Sequence, residues 1–226
     1  SQSVILKVTA PPDTKTDSIV APVTGKYVIT LDNVGTTEPV EVDGEFTIGV
    51  DRVRQIGRLP VTVTVDGNLD EWGELPLEVA AVEPPGSKWR GPSDAAYRFG
   101  VSFDEKNLYL AIRTRDNKLV LDDTRPPYQQ DGVEFRIDAR RDPARSNGQA
   151  LWNYSDHGMV AVSPASSPGT TMPLLVRPAP LAQIAQVKAV TTDQGIAAEI
   201  AIPAIWLDQQ QRGSWSAIRL NVCMLD

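Results

Sequence analysis

The sequence predicts an all-β protein: a β-sandwich preceded by a short β-rich segment of immunoglobulin-like or partial-sandwich type. Eighteen prolines and sixteen glycines are spread along the 226 residues, which is typical of many short elements joined by turns. Several stretches alternate apolar and polar residues, as strands with one buried face do. Long amphipathic helices are scarce. A chain of this length can bury a sizeable core in one large β-domain or two smaller ones.

Composition argues against several classes of function. The net charge of -7 disfavours nucleic-acid binding, which needs a concentrated basic surface. The most basic run, residues 136–145, is interrupted by acids. The single cysteine, Cys223, cannot form an internal disulfide, and the single histidine, His157, leaves little material for a zinc site or a histidine-based triad. No segment approaches the ~20 apolar residues of a membrane helix.

Residues 1–58 carry three strand candidates, at 4–9, 26–31 and 45–50, separated by Pro-, Gly- and Asp-containing turns. Three strands are too few for a whole immunoglobulin-like sandwich, which has about seven. We therefore predict a β-rich segment or partial sandwich over residues 1–58 and a separate domain over residues 59–226.

The second domain begins with alternating Val61, Val63 and Val65, which predict a strand, followed by a tight turn at Asp66-Gly67. Further strands are predicted at 75–82, 97–103 and 108–114, the last two forming a hairpin. Later strands are predicted at 128–138, 195–203 and 218–226, with one helical turn at 204–207 and a loop at 163–168. In the first of these, Val133, Phe135 and Ile137 alternate inward, which places Glu134, Arg136 and Asp138 on the opposite face.

Five stretches in this order resemble the family 9 carbohydrate-binding module and its DOMON-type β-sandwich relatives: DGNLDEW, DEKNLYLAIRTRD, YQQDGVEFRID, GIAAEIAIP and RLNVCMLD. The resemblance covers residues 61–226. It implies a non-catalytic sandwich that binds oligo- or polysaccharide. It also implies that the module is one part of a larger chain, such as a glycoside hydrolase, that is secreted, periplasmic or at the cell surface. The absence of a recognisable signal peptide is consistent with a leader that was removed or lies upstream.

The resemblance also implies site residues. Tyr128 stands where the family has its first sugar-stacking tryptophan, and Glu134 where it has a hydroxyl-binding carboxylate, with Arg136 on the same strand face. Aromatic planes suit the apolar C–H faces of a sugar ring, and its hydroxyls need placed donors and acceptors. The family's second stacking tryptophan lies beyond residue 226, so Trp89 and Trp152 are the candidate replacements.

Other positions depart from the family or suggest a structural role. Cys223 and Leu225 occupy places where the family has polar side chains, which favours a second interpretation: a structural or interaction sandwich that has lost sugar binding. Trp72 is interpreted as a core anchor. No cofactor is expected, although the family's use of structural calcium makes four turn aspartates candidate ligands, with turn capping as the competing explanation: Asp66, Asp70, Asp104 and Asp116.

Two further interpretations have less support. A haem-binding DOMON-like domain would need axial ligands, but His157 and Met159 are two residues apart and would share one strand face, leaving Met172 or Met224 as the partner. A glycoside hydrolase needs two carboxyls about 5–5.5 or 6.5–9.5 Å apart. Glu134 and Asp138 would lie roughly 13 Å apart at about 3.3 Å per residue, which is too far.

Overall fold

The computed structural model describes residues 23–31, 40–48, 55–79, 90–140 and 157–226. Contacts divide the chain into two compact units, residues 1–55 and 56–226. In the first unit, β1 (Val23–Leu31) and β2 (Val40–Ile48) form an antiparallel hairpin. These strands correspond to two of the three predicted there; the third, at 4–9, lies outside the described residues.

The second unit is a sandwich of two antiparallel sheets, which confirms the predicted fold class. Its strands are β3 (Leu77–Val79), β4 (Ala95–Phe103), β5 (Asn107–Asp116), β6 (Gly132–Asp138), β7 (Gly158–Val162), β8 (Leu174–Arg177), β9 (Gln186–Thr191), β10 (Ile196–Pro203) and β11 (Arg219–Leu225). The five-stranded sheet has the order β3-β4-β5-β10-β9, and the four-stranded sheet has the order β11-β6-β7-β8. Two short α-helices, α1 (Ala179–Ala182) and α2 (Ala204–Gln211), and two 3-10 turns, Asp70–Trp72 and Pro127–Gln129, complete the described elements.

The main core lies between the two sheets. The inward side chains of β6 (Val133, Phe135 and Ile137) are fully buried, which confirms the predicted alternation of this strand. They pack against the inward side chains of β5 and β10 and against two residues of α2: Leu108, Leu110, Ile112, Ile196, Ala198, Ile200, Ile202, Trp206 and Leu207. Removal of this apolar surface from water is the main favourable contribution to folding of the sandwich.

A second, smaller core lies on the outer face of the five-stranded sheet, where the segment 59–75 covers it. Leu69, Trp72 and Leu75 pack there against Tyr109, Ala111, Ala197 and Ala201. Trp72 is only 7% exposed, which confirms its interpretation as a core anchor. Both faces of β5 and β10 are therefore buried.

The predicted strand at 61–65 is wrong. These residues belong to no sheet, because the segment lies across the face of the five-stranded sheet and not beside one of its edges, where a ladder partner would be available. Val63 and Val65 pack on the second core, whereas Val61 is 51% exposed. The alternating apolar residues thus form one buried face that packs on side chains of the sheet and makes no ladder with a strand.

A buried carboxylate fastens this segment to the sheet. Glu199, on the outward side of β10, is fully buried. Its Oε2 accepts hydrogen bonds from the backbone N–H groups of Asp66 (3.1 Å) and Gly67 (2.8 Å), and its Oε1 accepts one from Trp72 Nε1 (2.9 Å). Gly67 has φ +88°, as the predicted turn requires, and a Cβ there would lie 2.8 Å from Val190 Cγ1. Burial raises the pKa of the Glu199 carboxyl.

The sequence did not predict three strands and one helix: β7, β8, β9 and α1. The helical turn predicted at 204–207 is the start of α2, which has eight residues. The hairpin of β4 and β5 is confirmed, with Phe103 opposite Leu108. Across the described ranges, none of the helices has the length and apolar character needed to cross a membrane.

Candidate functional site

The outer face of the four-stranded sheet is built around β6. Because Val133, Phe135 and Ile137 point into the core, Glu134 and Arg136 point to this outer face. The register then fixes their neighbours in two rows across the sheet. Glu134 lies opposite Cys223 on β11 and Ala161 on β7, and Arg136 lies opposite Asn221 and Met159 on the same two strands.

Each carboxylate on this face of β6 has its own arginine partner. Arg136 Nε donates to Glu134 Oε1 (2.6 Å). Arg140 Nε and Nη2 donate to Asp138 Oδ1 and Oδ2 (2.9 and 3.0 Å). Burial of Asp138 opposes its ionisation, but the hydrogen bonds and charge of Arg140 lower the pKa of this carboxyl below its ordinary value. Both carboxylates are therefore held as charge-assisted hydrogen-bond acceptors.

The accessibility of this face varies from residue to residue. Glu134 is on the predicted side of its strand but only 7% exposed, and its neighbour Ala161 is fully buried. Arg136 is half-buried and Asn221 is exposed, so these two side chains are the more accessible polar groups of the two rows. Asn221 was not among the predicted site residues, although the outward alternation of β11 would have identified it.

Two side chains of β11 without hydrogen-bonding amide or carboxylate groups, Cys223 and Leu225, lie on this face. Cys223 and Leu225 both point outward from β11, beside Glu134 and Gly132 of β6. The Cys223 thiol lies 3.7 Å from the Glu134 carbonyl oxygen. Burial raises the pKa of this thiol to about 11, and the negative charge of Glu134 adds to the effect, so Cys223 is a neutral thiol at neutral pH.

Tyr128 lies in the 3-10 turn Pro127–Gln129, directly before β6. Its side chain is 55% exposed, and it is the only aromatic residue more than half exposed among the side chains that the structure describes. The described tryptophans lie elsewhere: Trp72 and Trp206 are buried, and Trp215 packs edge-on against Phe103 with ring centroids 5.6 Å apart. Trp89 and Trp152 lie outside the described residues.

Three aspartates form a candidate metal site. Oxygen atoms of Asp116, Asp131 and Asp226 all lie within 4.8 Å of one another. Asp116 ends β5 in the five-stranded sheet, whereas Asp131 and Asp226 directly precede β6 and follow β11 in the four-stranded sheet. Oδ2 of Asp116 is buried without a hydrogen-bond partner, and Asp131 is only 4% exposed. Burial, together with the neighbouring carboxylates, raises the pKa values of Asp116 and Asp131.

This set of oxygen donors fits a hard divalent cation, because calcium binds carboxylate oxygens and would compensate the buried negative charge. The other three aspartates predicted as calcium ligands are engaged by their own turns. Asp66 Oδ1 accepts from Asn68 N–H, and Asp70 Oδ2 accepts from the Asn68 amide. Asp104 accepts from the N–H groups of the turn that follows it. Asp104 Oδ2 also accepts from the Tyr109 hydroxyl, so all three carboxylates have hydrogen-bond partners close to them in sequence.

One of the two methionines considered as a haem ligand, Met172, already has a hydrogen-bond partner. Met172 Sδ accepts a hydrogen bond from Ala189 N–H (3.2 Å), and Met159 is 4% exposed beside Arg136. His157 is 8% exposed.

The sandwich corresponds to a known family. Residues 65–226 match the family model described as carbohydrate family 9 binding domain-like. The chain is similar to a carbohydrate binding module family 9 from Caldicellulosiruptor kristjanssonii in complex with glucose, at 16% identity and a TM-score of 0.49, over 75% of this chain and 76% of that chain. It is also similar to a module of the same family and organism in complex with cellotriose, at 19% identity and a TM-score of 0.46, over 66% and 67% of the two chains. No curated protein matches the chain.

Proposed function

The chain belongs to the carbohydrate family 9 binding domains and is a carbohydrate-binding module, and from this premise we propose that it binds saccharide on the outer face of its four-stranded sheet, with Tyr128 stacking on a sugar ring. The observation that carries the proposal is the exposed ring of Tyr128, directly before the strand that bears Glu134 and Arg136. Stacking supplies apolar contact, and the polar pair supplies hydrogen bonds to hydroxyls.

Each polar group has a distinct role in this proposal. Glu134, held by Arg136, accepts a hydrogen bond from a sugar hydroxyl. The Arg136 guanidinium donates hydrogen bonds to the sugar. Asn221, across β11, can donate and accept. Trp152 or Trp89 is proposed to supply a second stacking ring.

The test is isothermal titration with a panel of glucose, cellobiose, xylobiose, galactose and an acidic oligosaccharide. The wild type should bind at least one member saturably. Tyr128→Ala should weaken that binding about tenfold or more, equivalent to ~1.4 kcal/mol, because the stacking surface is lost. Ile205→Ala, which removes an exposed apolar side chain from α2, is the matched control and should bind as the wild type does.

Equal affinities for the wild type and Tyr128→Ala would exclude Tyr128 as the stacking residue. Absence of binding to every sugar at millimolar concentration would favour the second candidate, a structural or interaction sandwich. The observation that favours this alternative is the outward placement of Cys223 and Leu225 where polar side chains would contact a sugar.

We further propose that the module is non-catalytic and is one part of a larger secreted, periplasmic or surface protein. The first candidate for that larger protein is a glycoside-active enzyme. DOMON-like domains are proposed as relatives of the sandwich. The separate arginine partners of Glu134 and Asp138 support the absence of catalysis, because a glycosidase needs two carboxyls that act together across one bond. Incubation with the saccharide panel should release no new reducing ends.

Calcium bound by Asp116, Asp131 and Asp226 is proposed as a structural cation that joins the two sheets at one end of the sandwich. Calcium should raise the midpoint of thermal unfolding relative to the protein in EDTA. The stabilisation should be ~2.7 kcal/mol at a calcium concentration about 100 times Kd, because the folded state alone presents the three carboxylates together.

The matched variants are Asp131→Asn, which should lose the calcium-dependent shift, and Asp104→Asn, which should keep it because Asp104 caps a turn elsewhere. Equal unfolding midpoints in calcium and EDTA for the wild type would contradict the metal site.

A further inference from the structure

The segment that carries Tyr128 is a long connection between the two sheets. Residues 117–131 run from the end of β5 in the five-stranded sheet to the start of β6 in the four-stranded sheet. Within it the structure assigns one short element, the 3-10 turn Pro127–Gln129. Connections of this length with little secondary structure are uncommon in compact domains unless they have a function, and their backbone polar groups need partners.

Gln130 supplies several of those partners from inside the loop. Its side chain is buried, with the residue 8% exposed. Oε1 accepts a hydrogen bond from Asp122 N–H (2.8 Å), and Nε2 donates to the carbonyl oxygens of Asp122 (2.9 Å) and Arg125 (2.8 Å). One carboxamide thus uses its acceptor and both its donors to close the segment 122–130, which contains Tyr128.

The closed segment is internally ordered. Arg125 N–H donates to Asp122 O (2.9 Å), and Gln129 N–H donates to Pro126 O (3.0 Å). Pro126 and Pro127 restrict φ at the two positions that directly precede Tyr128. With these local constraints in place, the bonds of Gln130 determine whether the segment as a whole stays closed.

Other bonds hold the loop independently of Gln130. Asp131 N–H donates to Val120 O (3.2 Å), which closes the base of the loop. The Asp123 carboxylate accepts from Ser166 N–H (2.8 Å) and from the Ser166 hydroxyl (2.7 Å), in the connection after β7. Loss of the Gln130 bonds is therefore expected to open the middle of the loop while its attachments to the sandwich persist.

We propose that Gln130 is a positioning residue for saccharide binding, which keeps the 122–130 segment closed so that Tyr128 is presented in its binding position. This inference rests on the proposed function of Tyr128. A ligand that binds only the closed loop has an apparent Kd equal to its intrinsic Kd divided by the closed fraction. Preorganisation by Gln130 therefore raises affinity without a contact between Gln130 and the sugar.

The test uses Gln130→Met, which preserves side-chain length and removes the hydrogen bonds, and Gln129→Met, the same change at the exposed neighbouring position. Gln130→Met should raise the saccharide Kd about tenfold, as expected if the closed fraction falls to roughly one tenth. It should also accelerate hydrogen exchange at the Asp122 amide. Gln129→Met should leave the Kd and the exchange rates of the loop as in the wild type.

A double-mutant cycle separates positioning from a general structural effect. In the Tyr128→Ala background, with weak binding followed by NMR at millimolar saccharide, Gln130→Met should add little further loss, because both changes act through the same ring. An equal loss in both backgrounds, or unchanged exchange at Asp122, would overturn the inference.

The failures of the two proposals are distinguishable. An unchanged Kd in Gln130→Met, with binding still weakened by Tyr128→Ala, would overturn the positioning role alone. An unchanged Kd in Tyr128→Ala would overturn the proposed stacking site and the positioning role with it.

Discussion

At the residue scale, Glu199 is a carboxylate whose three hydrogen-bond partners all come from the segment that covers the five-stranded sheet. Replacing Glu199 by Gln puts an NH2 group in the place of one carboxylate oxygen, where it faces N–H donors and no acceptor. A buried donor without an acceptor costs about 1–3 kcal/mol, so we expect Glu199→Gln to lower the free energy of unfolding by that amount.

The pH dependence of this effect has a definite sign. Because burial raises the folded-state pKa of Glu199 above the ordinary value of 4.5, the wild type loses stability as pH rises from about that value through the folded pKa. The variant has no such titration, so its deficit in unfolding free energy should be largest near pH 4.5 and shrink toward neutral pH. Urea unfolding of both proteins between about pH 4.5 and neutral pH measures this deficit. A deficit that grows with pH would contradict the raised pKa of Glu199.

Side-chain direction on β6 was predictable from the sequence, but accessibility was not. Strict alternation placed Glu134 and Arg136 on the outer face, as observed. The burial of Glu134 and the exposure of Tyr128 depend on residues distant in sequence, as does the approach of Asp131 to Asp116. No local periodicity contains that information, and the four turn aspartates chosen from the sequence included only one member of the cluster.

At the scale of elements, the segment 59–75 acts as a cover for the five-stranded sheet, with Trp72 as its largest anchor. Trp72→Ala should lower the free energy of unfolding by about 3–5 kcal/mol, since it leaves a cavity and removes a partner of Glu199. Saccharide affinity of the folded variant should be unchanged, because Trp72 lies on the opposite side of the sandwich from β6. Chemical denaturation and titration at low temperature test both parts; a parallel loss of affinity would contradict the assignment of the two faces.

Strand prediction succeeded where large apolar residues alternate with smaller or polar ones, as they also do in β5 and β10 although both faces of these strands are buried, and it failed where that alternation is missing. β4, β5, β6 and β11 have a clear alternation, and each was predicted. β7 is buried on both faces and has no period-two signal, whereas β8 and β9 are short and partly exposed. The 61–65 segment has the alternation of a strand but is not one, since an extended stretch with one apolar face can pack on a sheet without joining it.

At the scale of the whole molecule, the sandwich keeps its structural and proposed binding functions on opposite faces. The outer face of the five-stranded sheet is covered and fastened by Glu199, while the outer face of the four-stranded sheet presents Arg136 and Asn221, with Tyr128 just before it. Saccharide binding is therefore proposed at this second face.

The most direct test is an NMR titration of the backbone amides with the saccharide that binds most tightly in the panel. Binding at the proposed face should shift the amides of Tyr128, Asn221 and Cys223, and leave those of Gly67 and Val190 on the opposite face unchanged. Shifts confined to Gly67 and Val190, or no shifts at saturating saccharide, would contradict saccharide binding at the outer face of the four-stranded sheet.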